Sequence, residues 1–245
     1  EDAGFDWKII GPDYDPKWAK HVAWQCDEDA YNASGQKCSA QSFLFVHKNW
    51  EEDLLPRLKE LASKRKLENL DIGPILTWTN HQITEHIDCL LTIPGSKVLF
   101  GGKKLLNNSI PPIYGSFQPT ALEIPIDKIL GDNFKKITKE VFGPFQIIVV
   151  YEDKNMQIVK KTLENISQNL TAAVVSNDVV FQQEILASTV NGTTYSGMKA
   201  RTTGAPQNHW FGPSGDPRSA GIGTPEAIIS TWSSHREIIK DVGPL

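Results

Sequence analysis

The order of apolar segments in the second half of the chain constrains the fold most. An apolar run over residues 147–151 precedes a helical pattern over 155–166. A second run over 172–176 precedes a helical pattern over 181–187, and a short extended segment is expected over 189–191. Strands that alternate with helices at this spacing are typical of parallel sheets. We therefore predict an α/β fold with a mostly parallel sheet flanked by helices.

The first half of the chain supplies further elements of the same kind. The run SFLFVH over residues 42–47 is short and apolar, which indicates a buried strand. Leucines then recur at helical spacing over 54–64, so we expect an amphipathic helix with Pro56 in its first turn. Thr79 is a suitable cap for a second helix that reaches Leu91.

The remaining segments are punctuated by proline and glycine. Residues 97–100 read as a brief strand, and the proline-rich stretch 107–125 as extended or edge structure. Residues 202–223 form a loop that is too long for a simple connector in a compact domain. A helix is expected from residue 224, followed by a final strand over 236–242.

Composition excludes several classes of function. The 245 residues, 40% of them hydrophobic, can bury a substantial core. A formal charge of −4 offers no electrostatic footprint for nucleic acid, and no apolar run is long enough to span a membrane. The three cysteines form no Cys-x-x-Cys pair, and the six histidines show no metal-ligand spacing. We expect a small-molecule substrate and no metal.

Cys38 is the residue whose setting suggests chemistry. It follows Gly35, which permits unusual backbone angles, and stands just ahead of an apolar run. A strand there would hold the sulfur rigidly, and Lys37 could stabilise a thiolate. A lone cysteine more often only packs in a core, and a neighbouring lysine is more often solvated. The residues alone leave both interpretations open.

Three separated motifs, in order, resemble the aldehyde dehydrogenase superfamily. They are GQKCSA over residues 35–40, TKEVFGPF over 138–145 and NHWFGPSGDPRSAGIG over 208–223. Within the superfamily, EDAGFDWK, CSAQSFLFVHKNW and RTTGAPQNHWFGP are similar to the plant-type delta-1-pyrroline-5-carboxylate dehydrogenases. The resemblance covers essentially the whole chain. It implies the oxidation of glutamate γ-semialdehyde to glutamate in proline breakdown.

The resemblance also implies roles for four residues. Cys38 would attack the aldehyde carbonyl to form a thiohemiacetal, from which hydride passes to NAD and leaves a thioester. Glu1 would be the general base for the hydrolytic water, although its motif reads Glu-Asp-Ala-Gly here. Glu140 would bond a nicotinamide-ribose hydroxyl, and Phe142 would pack beside the nicotinamide.

Five residues are implied as substrate contacts. Residues 202–205 correspond to a loop that binds the α-carboxylate of the substrate, with Thr203, Gly204 and Ala205 as the contacts, and a glycine-bearing turn can present N–H groups to an anion. Phe211 would form an aromatic wall, and Ser39 lies beside the nucleophile.

The family's dinucleotide-binding half would lie upstream of Glu1. We therefore expect residues 1–235 to be a catalytic domain and 236–245 an oligomerisation strand, in a homo-oligomer of the mitochondrial matrix. Two alternatives are a biosynthetic reductase that uses the same cysteine and a non-catalytic assembly module of this fold. A papain-like hydrolase is a third, although no histidine stands out as its base.

Overall fold

A seven-stranded sheet forms the centre of the protein, whose computed structural model describes residues 4–203, 210–213, 220–223 and 238. Its strands are β1 (Asp6–Ile10), β2 (Gln41–His47), β3 (Lys97–Phe100), β4 (Thr120–Glu123), β5 (Phe145–Tyr151), β6 (Thr171–Val175) and β7 (Thr193–Ser196). They lie in the order β3-β4-β5-β2-β1-β6-β7, and only the β3–β4 pair is antiparallel. The predicted α/β class with a mostly parallel sheet is confirmed.

Helices cover both faces of this sheet. They are α1 (Pro16–Tyr31), α2 (Lys48–Lys64), α3 (Asn80–Leu91), α4 (Phe134–Ile137), α5 (Met156–Asn165) and α6 (Val179–Leu186). Neighbouring residues of a strand point to opposite faces. Accordingly, Leu44 and Val46 belong to the core beneath α1 and α2, whereas Phe43 and Phe45 belong to the core beneath α3, α5 and α6.

Side-chain caps explain where the helices begin. The Asp15 carboxylate accepts the Lys17 amide at 3.0 Å, and Pro16 occupies the first helical position of α1. Thr79 caps α3 in a reciprocal arrangement with Gln82, so that each side chain accepts the other's backbone N–H. The predicted start of α3 is confirmed.

The predicted position of Pro56 in a first helical turn is wrong. Helix α2 begins at Lys48 and not near residue 54, so Pro56 lies in its interior. Proline removes one helical hydrogen bond there. Both Pro56 and Glu52, whose carbonyl loses the donor, are exposed, and water can satisfy that carbonyl.

Two elements at the start of the chain are absent from the sequence-based prediction. Strand β1 contains Asp6 and Lys8, and α1 contains Asp27 and Asp29, yet all four side chains are buried. Charged residues break the apolar period by which buried elements are recognised. The pattern therefore hid an interior strand of the sheet and the helix that follows it.

Three predictions for the connecting segments also need correction. The extended segment expected over 189–191 is not a strand, because β7 begins only at Thr193. The proline-rich middle contains the extended strand β4, but β4 lies inside the sheet between β3 and β5 and not at its edge. The long loop contains an antiparallel hairpin of β8 (Trp210–Pro213) and β9 (Ala220–Gly223). The helix from residue 224 and the strand over 236–242 fall outside the described residues, apart from Ile238.

The parallel strands all begin at one edge of the sheet. Asp6 pairs with Gln41, and Thr120 pairs with Phe145, so β1, β2, β4 and β5 start side by side. The segments that lead into these strands therefore meet at this amino edge. Among the described residues, no helix is long and apolar enough to cross a membrane.

Candidate active site

Cys38 lies at the amino edge, in the turn that leads into β2. Its side chain is half-buried, and the turn is closed by the Ala40 amide donating to the Lys37 carbonyl at 3.0 Å. Gly4 comes so close that a Cβ there would lie 2.7 Å from the Cys38 carbonyl oxygen. Gly4 is thereby brought against the backbone of the predicted nucleophile. The interpretation of Cys38 as a fully buried core residue does not hold.

The backbone before Cys38 is tightly coiled. Ala33, Ser34 and Gly35 have φ angles of 54°, 57° and 66°. The left-handed region is costly for residues with a Cβ, so consecutive residues there must be held by their surroundings. The sequence correctly singled out Gly35 but not its two neighbours.

Gly35 also explains how two of the sequence motifs meet. A Cβ at Gly35 would lie 2.1 Å from the carbonyl oxygen of Gly143 and 2.9 Å from that of Ala30. Only glycine permits this approach. The loop carrying Cys38 is therefore packed directly against the loop carrying Glu140 and Phe142.

Side chains clamp the nucleophile loop from the other side. Gln36 donates to the Pro74 carbonyl at 2.9 Å and accepts the Leu76 amide at 2.8 Å. Ser34 accepts the Gly73 amide at 2.7 Å. The Gln36 side chain thus joins the nucleophile loop to the backbone of Pro74 and Leu76, a role that the sequence pattern did not reveal.

Lys37 has a structural partner. Its ammonium donates to the Glu28 carbonyl of α1 at 3.0 Å. Burial lowers the pKa of this ammonium, and the nearby carboxylates of Asp29 and Glu28 oppose that effect. Lys37 therefore ties the nucleophile loop to the last turns of α1 and is not a solvated side chain.

Glu140 and Phe142 lie in the segment that leads into β5. Phe142 is the centre of a three-residue turn in which the Gly143 amide donates to the Val141 carbonyl at 2.7 Å. Both Glu140 and Phe142 are half-buried, whereas Gly143 is buried. The turn leaves a carboxylate and an aromatic ring two residues apart beside the Cys38 loop.

Asp6 is a second acidic residue at this edge, and sequence reasoning missed it. One carboxylate oxygen accepts the Thr171 amide at 2.5 Å, and the other has no hydrogen-bond partner among the described residues. Burial raises the pKa of Asp6 well above its ordinary value, against the Thr171 hydrogen bond, and the charge of Glu140 raises it further. Asp6 thus lies within electrostatic range of Glu140.

A buried polar network ties the strand ends together behind the site. Gln41 donates to the Gln146 side-chain oxygen at 2.7 Å, and Gln146 donates to the Tyr31 hydroxyl at 2.8 Å. Tyr31 in turn donates to the Thr120 carbonyl at 3.0 Å. These bonds join α1 to β2, β4 and β5, and they fix the base from which the two loops project.

The proposed substrate loop begins on the same helix. Asp29 of α1 accepts the Thr202 amide at 2.8 Å and the Thr203 hydroxyl at 2.7 Å. The nucleophile loop and the segment bearing Thr203 therefore both attach to consecutive residues of α1, Glu28 and Asp29. No sequence signal marked Asp29, because a buried aspartate on a helix looks like a solvated one.

The structure describes only some of the predicted site residues. Ser39 is half-buried in the Cys38 turn, and Phe211 lies in β8, where the backbone alone is described. Glu1, Gly204 and Ala205 lie outside the described residues. The site brings together Cys38, Ser39, Glu140 and Phe142, with Thr203 held on the adjoining helix.

The donor set at the amino edge suits an organic cofactor. Among the described residues, no group of three His, Cys, Asp or Glu side chains could hold a metal ion. A half-buried carboxylate can accept hydrogen bonds from ribose hydroxyls, and a half-buried ring two residues away can pack against a planar heterocycle. Glu140 and Phe142 therefore have the chemistry that their predicted contacts with the nicotinamide end of a dinucleotide require.

Comparison with known proteins finds clear relatives of the chain. The sequence profile of the aldehyde dehydrogenase family matches residues 4–216. Delta-1-pyrroline-5-carboxylate dehydrogenase 12A1, mitochondrial, of Arabidopsis thaliana is 60% identical over 248 residues, which cover 100% of this chain and 44% of that protein. A probable aldehyde dehydrogenase of Linum usitatissimum is also 60% identical, with the same coverage. The chain thus spans less than half the length of these curated relatives.

Solved structures share the fold at lower identity. A mutant of the Thermus thermophilus 1-pyrroline-5-carboxylate dehydrogenase superposes with a TM-score of 0.66 at 22% identity, over 83% of this chain and 37% of its own. A proline utilization A protein with proline bound in remote sites gives a TM-score of 0.71 at 21% identity, over 91% of this chain and 22% of its own. A 1-pyrroline-5-carboxylate dehydrogenase from Thermus with bound NAD superposes with a TM-score of 0.65 at 22% identity, over 83% of this chain and 37% of its own.

Proposed function

The chain belongs to the aldehyde dehydrogenase family, and we propose on that premise that it supplies the nucleophile-bearing part of an NAD-dependent dehydrogenase. Its substrate is L-glutamate γ-semialdehyde, the open form of pyrroline-5-carboxylate, and its product is glutamate. One observation carries this proposal: Gly35 packs against Gly143, which joins the Cys38 loop to the loop of Glu140 and Phe142. The substrate assignment draws on the 60% identity to the Arabidopsis dehydrogenase.

Cys38 carries the covalent chemistry in this proposal. Its thiolate attacks the aldehyde carbon, and the carbonyl π electrons move to oxygen, which gives a tetrahedral thiohemiacetal. The Cys38 turn holds the sulfur at the amino edge, and its backbone N–H is the donor of this chain assigned to the developing oxyanion. Bound NAD would supply the hydride acceptor that converts this adduct into a thioester.

Hydrolysis then releases the product. Glu1 takes a proton from water, the water oxygen attacks the thioester carbon, and the Cys38 sulfur leaves as thiolate. The glutamate so formed carries the new carboxylate. Glu140 and Phe142 would hold the nicotinamide end of the cofactor.

The other end of the substrate is recognised by the segment after β7. Thr203, Gly204 and Ala205 bind the α-carboxylate through backbone donors, Phe211 flanks the aliphatic chain, and Ser39 contacts the substrate beside Cys38. The hydrogen bonds from Thr202 and Thr203 to Asp29 support this role, since they hold the segment on the helix that also holds the nucleophile loop.

The proposal extends to domains, assembly and location. Residues 1–235 form the catalytic domain and 236–245 a strand that joins a neighbouring subunit, which makes the protein a homo-oligomer. The mitochondrial name of the Arabidopsis relative supports a place in the mitochondrial matrix. The adenine and pyrophosphate of NAD are bound by a part of the protein other than this chain.

Production of NADH from glutamate γ-semialdehyde tests the function. The intact gene product should produce NADH, its Cys38→Ala variant should not, and its Glu1→Gln variant should stall at the thioester. This chain alone should show little turnover, because Glu140 and Phe142 contact only one end of the cofactor. An inactive intact protein with an unreactive Cys38 would point to an assembly module. A protein that reduces an acyl phosphate instead of oxidising the semialdehyde, and that keeps this activity in Glu1→Gln, would point to a biosynthetic reductase.

A further inference from the structure

Asp29 is a buried carboxylate that accepts hydrogen bonds from four residues. It is 0% exposed, and Lys8 of β1 donates to one of its oxygens at 2.7 Å. The same oxygen accepts the Thr202 amide at 2.8 Å, and the other accepts the Thr203 hydroxyl at 2.7 Å and the Gln25 amide group at 3.0 Å. Asp29 thus binds Thr202 and Thr203, which lie 173 and 174 positions after it in the chain.

Lys8 balances the charge of this carboxylate inside the core. Its side chain is 0% exposed, and its ammonium also donates to the Cys26 sulfur at 3.7 Å. Burial is the largest single influence and lowers the pKa of Lys8, but the charges of Asp29 and Cys26 and the hydrogen bonds to both residues together outweigh it and raise the pKa overall. The lysine therefore stays charged, and the pair leaves both Asp29 oxygens available to accept the two threonines.

The neighbouring acids of α1 have a different partner. Asp27 accepts Arg65 at 2.7 Å, and Glu28 accepts the same guanidinium at 2.5 Å. This pairing joins α1 to the end of α2 and does not involve the segment at Thr202. Asp29 is accordingly the one acid in the last turns of α1 that connects to the segment after β7, among the described residues.

We propose that Asp29 is the positioning residue for substrate selection: charge-balanced by Lys8, it holds Thr202 and Thr203 at a fixed place relative to Cys38. This inference rests on the proposed function, since it assigns the segment to recognition of the substrate's α-carboxylate. Asp29 itself does not touch the substrate.

A defined consequence separates this role from a merely stabilising one. If Asp29 sets the substrate loop, its loss weakens recognition of the amino-acid end of the substrate. The attack of Cys38 on the aldehyde group is unaffected, because the nucleophile loop is held by Gln36, Ser34 and Lys37 through other partners. The defect therefore appears with glutamate γ-semialdehyde and not with an aldehyde that has no carboxylate.

The experiment compares kcat/KM for glutamate γ-semialdehyde and for propanal in the intact gene product. Asp29→Asn keeps the size of the side chain and removes its charge, so that each threonine loses a charge-assisted hydrogen bond. The value for the semialdehyde divided by that for propanal should therefore fall about tenfold, mainly through a higher KM for the semialdehyde. Asp27→Asn is the matched control: the same substitution on the same helix, also in a buried ion pair, should leave the ratio unchanged. Equal losses on both aldehydes in Asp29→Asn would overturn the proposal.

A second variant guards against misfolding. Asp29→Asn leaves Lys8 buried without a counter-charge, which can prevent folding. Lys8→Gln/Asp29→Asn removes both charges together, and the same selective loss is expected from it. A folded double variant with the wild-type ratio would contradict the proposal.

Hydrogen exchange gives a readout that does not depend on the reaction. The Thr202 amide donates to Asp29, so the peptide that contains Thr202 and Thr203 should exchange faster in the variants, while the peptide of β2 should not change. If the wild type does not oxidise the semialdehyde, the proposed function fails. Faster exchange then still supports the anchoring by Asp29, and unchanged exchange overturns it.

Discussion

At the scale of single residues, the three cysteines differ in what surrounds them. Cys26 is buried against Lys8, and burial raises its pKa to about 11 although Lys8 lowers it. Only about one thiol in a thousand would be ionised at pH 8 in that case. Cys38 and Cys89 are half-buried, and Cys38 alone lies in the strand-leading turn beside Glu140.

We expect Cys38 to be alkylated first. Timed iodoacetamide labelling at pH 8 with peptide mapping should show Cys38 modified before Cys89 and Cys26 essentially unmodified, since the thiolate is the reactive form. The Cys38→Ser variant is the control for the mapped peptide. Faster labelling of Cys26 or Cys89 would contradict the assignment of the nucleophile.

Asp6 should make stability depend on pH. Its folded-state pKa is raised, so the folded state binds this proton more tightly than the unfolded state. The contribution is favourable below the ordinary pKa of about 4 and is lost as pH rises towards the folded-state value. Asp6→Asn keeps an acceptor for the Thr171 amide and carries no charge, so its melting temperature should improve relative to wild type between pH 5 and pH 8.

The comparison needs an exposed acid as its control. Asp88 is exposed on α3. The difference in melting temperature between Asp88→Asn and wild type should be the same at pH 5 and at pH 8. Scanning calorimetry of the intact gene product measures both. A constant difference for Asp6→Asn across that range would show that the Asp6 carboxyl is not perturbed in the folded protein.

At the scale of elements, the contact between two loops depends on Gly35. An alanine Cβ there would lie 2.1 Å from the Gly143 carbonyl oxygen, and φ is +66°. Gly131 offers a matched control, because its φ is +83° but nothing lies within 4 Å of an added Cβ. The two positions separate the cost of backbone conformation from the cost of the clash.

Substitution at the two glycines should therefore lower the free energy of unfolding by different amounts. Gly131→Ala should cost about 1 kcal/mol for its left-handed backbone, and Gly35→Ala about 3 kcal/mol or more, because backbone must move. A destabilisation of about 1 kcal/mol corresponds to about 2–4 °C in melting temperature at this size. Equal shifts for both variants would mean that the two loops are not in contact.

At the scale of the whole molecule, the segment over residues 236–245 is expected to join another subunit. Ile238, the residue described there, is 68% exposed, and two further apolar residues, Ile239 and Val242, follow in the sequence. Apolar side chains left in solvent favour association with another chain.

Deletion of residues 236–245 should reduce the mass of the intact gene product in light scattering to that of a smaller assembly. Removal of Pro244 and Leu245 alone should leave the mass unchanged, which makes that variant the control. An oligomer of undiminished mass after the longer deletion would refute the role of this segment.

Local patterns were sufficient where neighbouring residues decide the outcome. Hydrophobic period located β2, β5 and β6, and the Thr79 cap located the start of α3, because these depend on residues a few positions apart. The resemblance predicted the roles of Cys38, Glu140 and Phe142 from their motifs. In each case the sequence by itself was enough to locate the element or to select the candidate residue.

Only the tertiary structure decided which of these parts touch. Strands β2 and β5 are neighbours, with Phe43 opposite Ile147, although a long stretch of chain separates them. The order of parallel strands depends on how the connecting helices pack, and no local period records it. The contact of Gly35 with Gly143 follows from that order. The buried charges of Lys8 and Asp29 were equally hidden, since a charged residue is recognised as an internal anchor only when its partners come from distant parts of the chain.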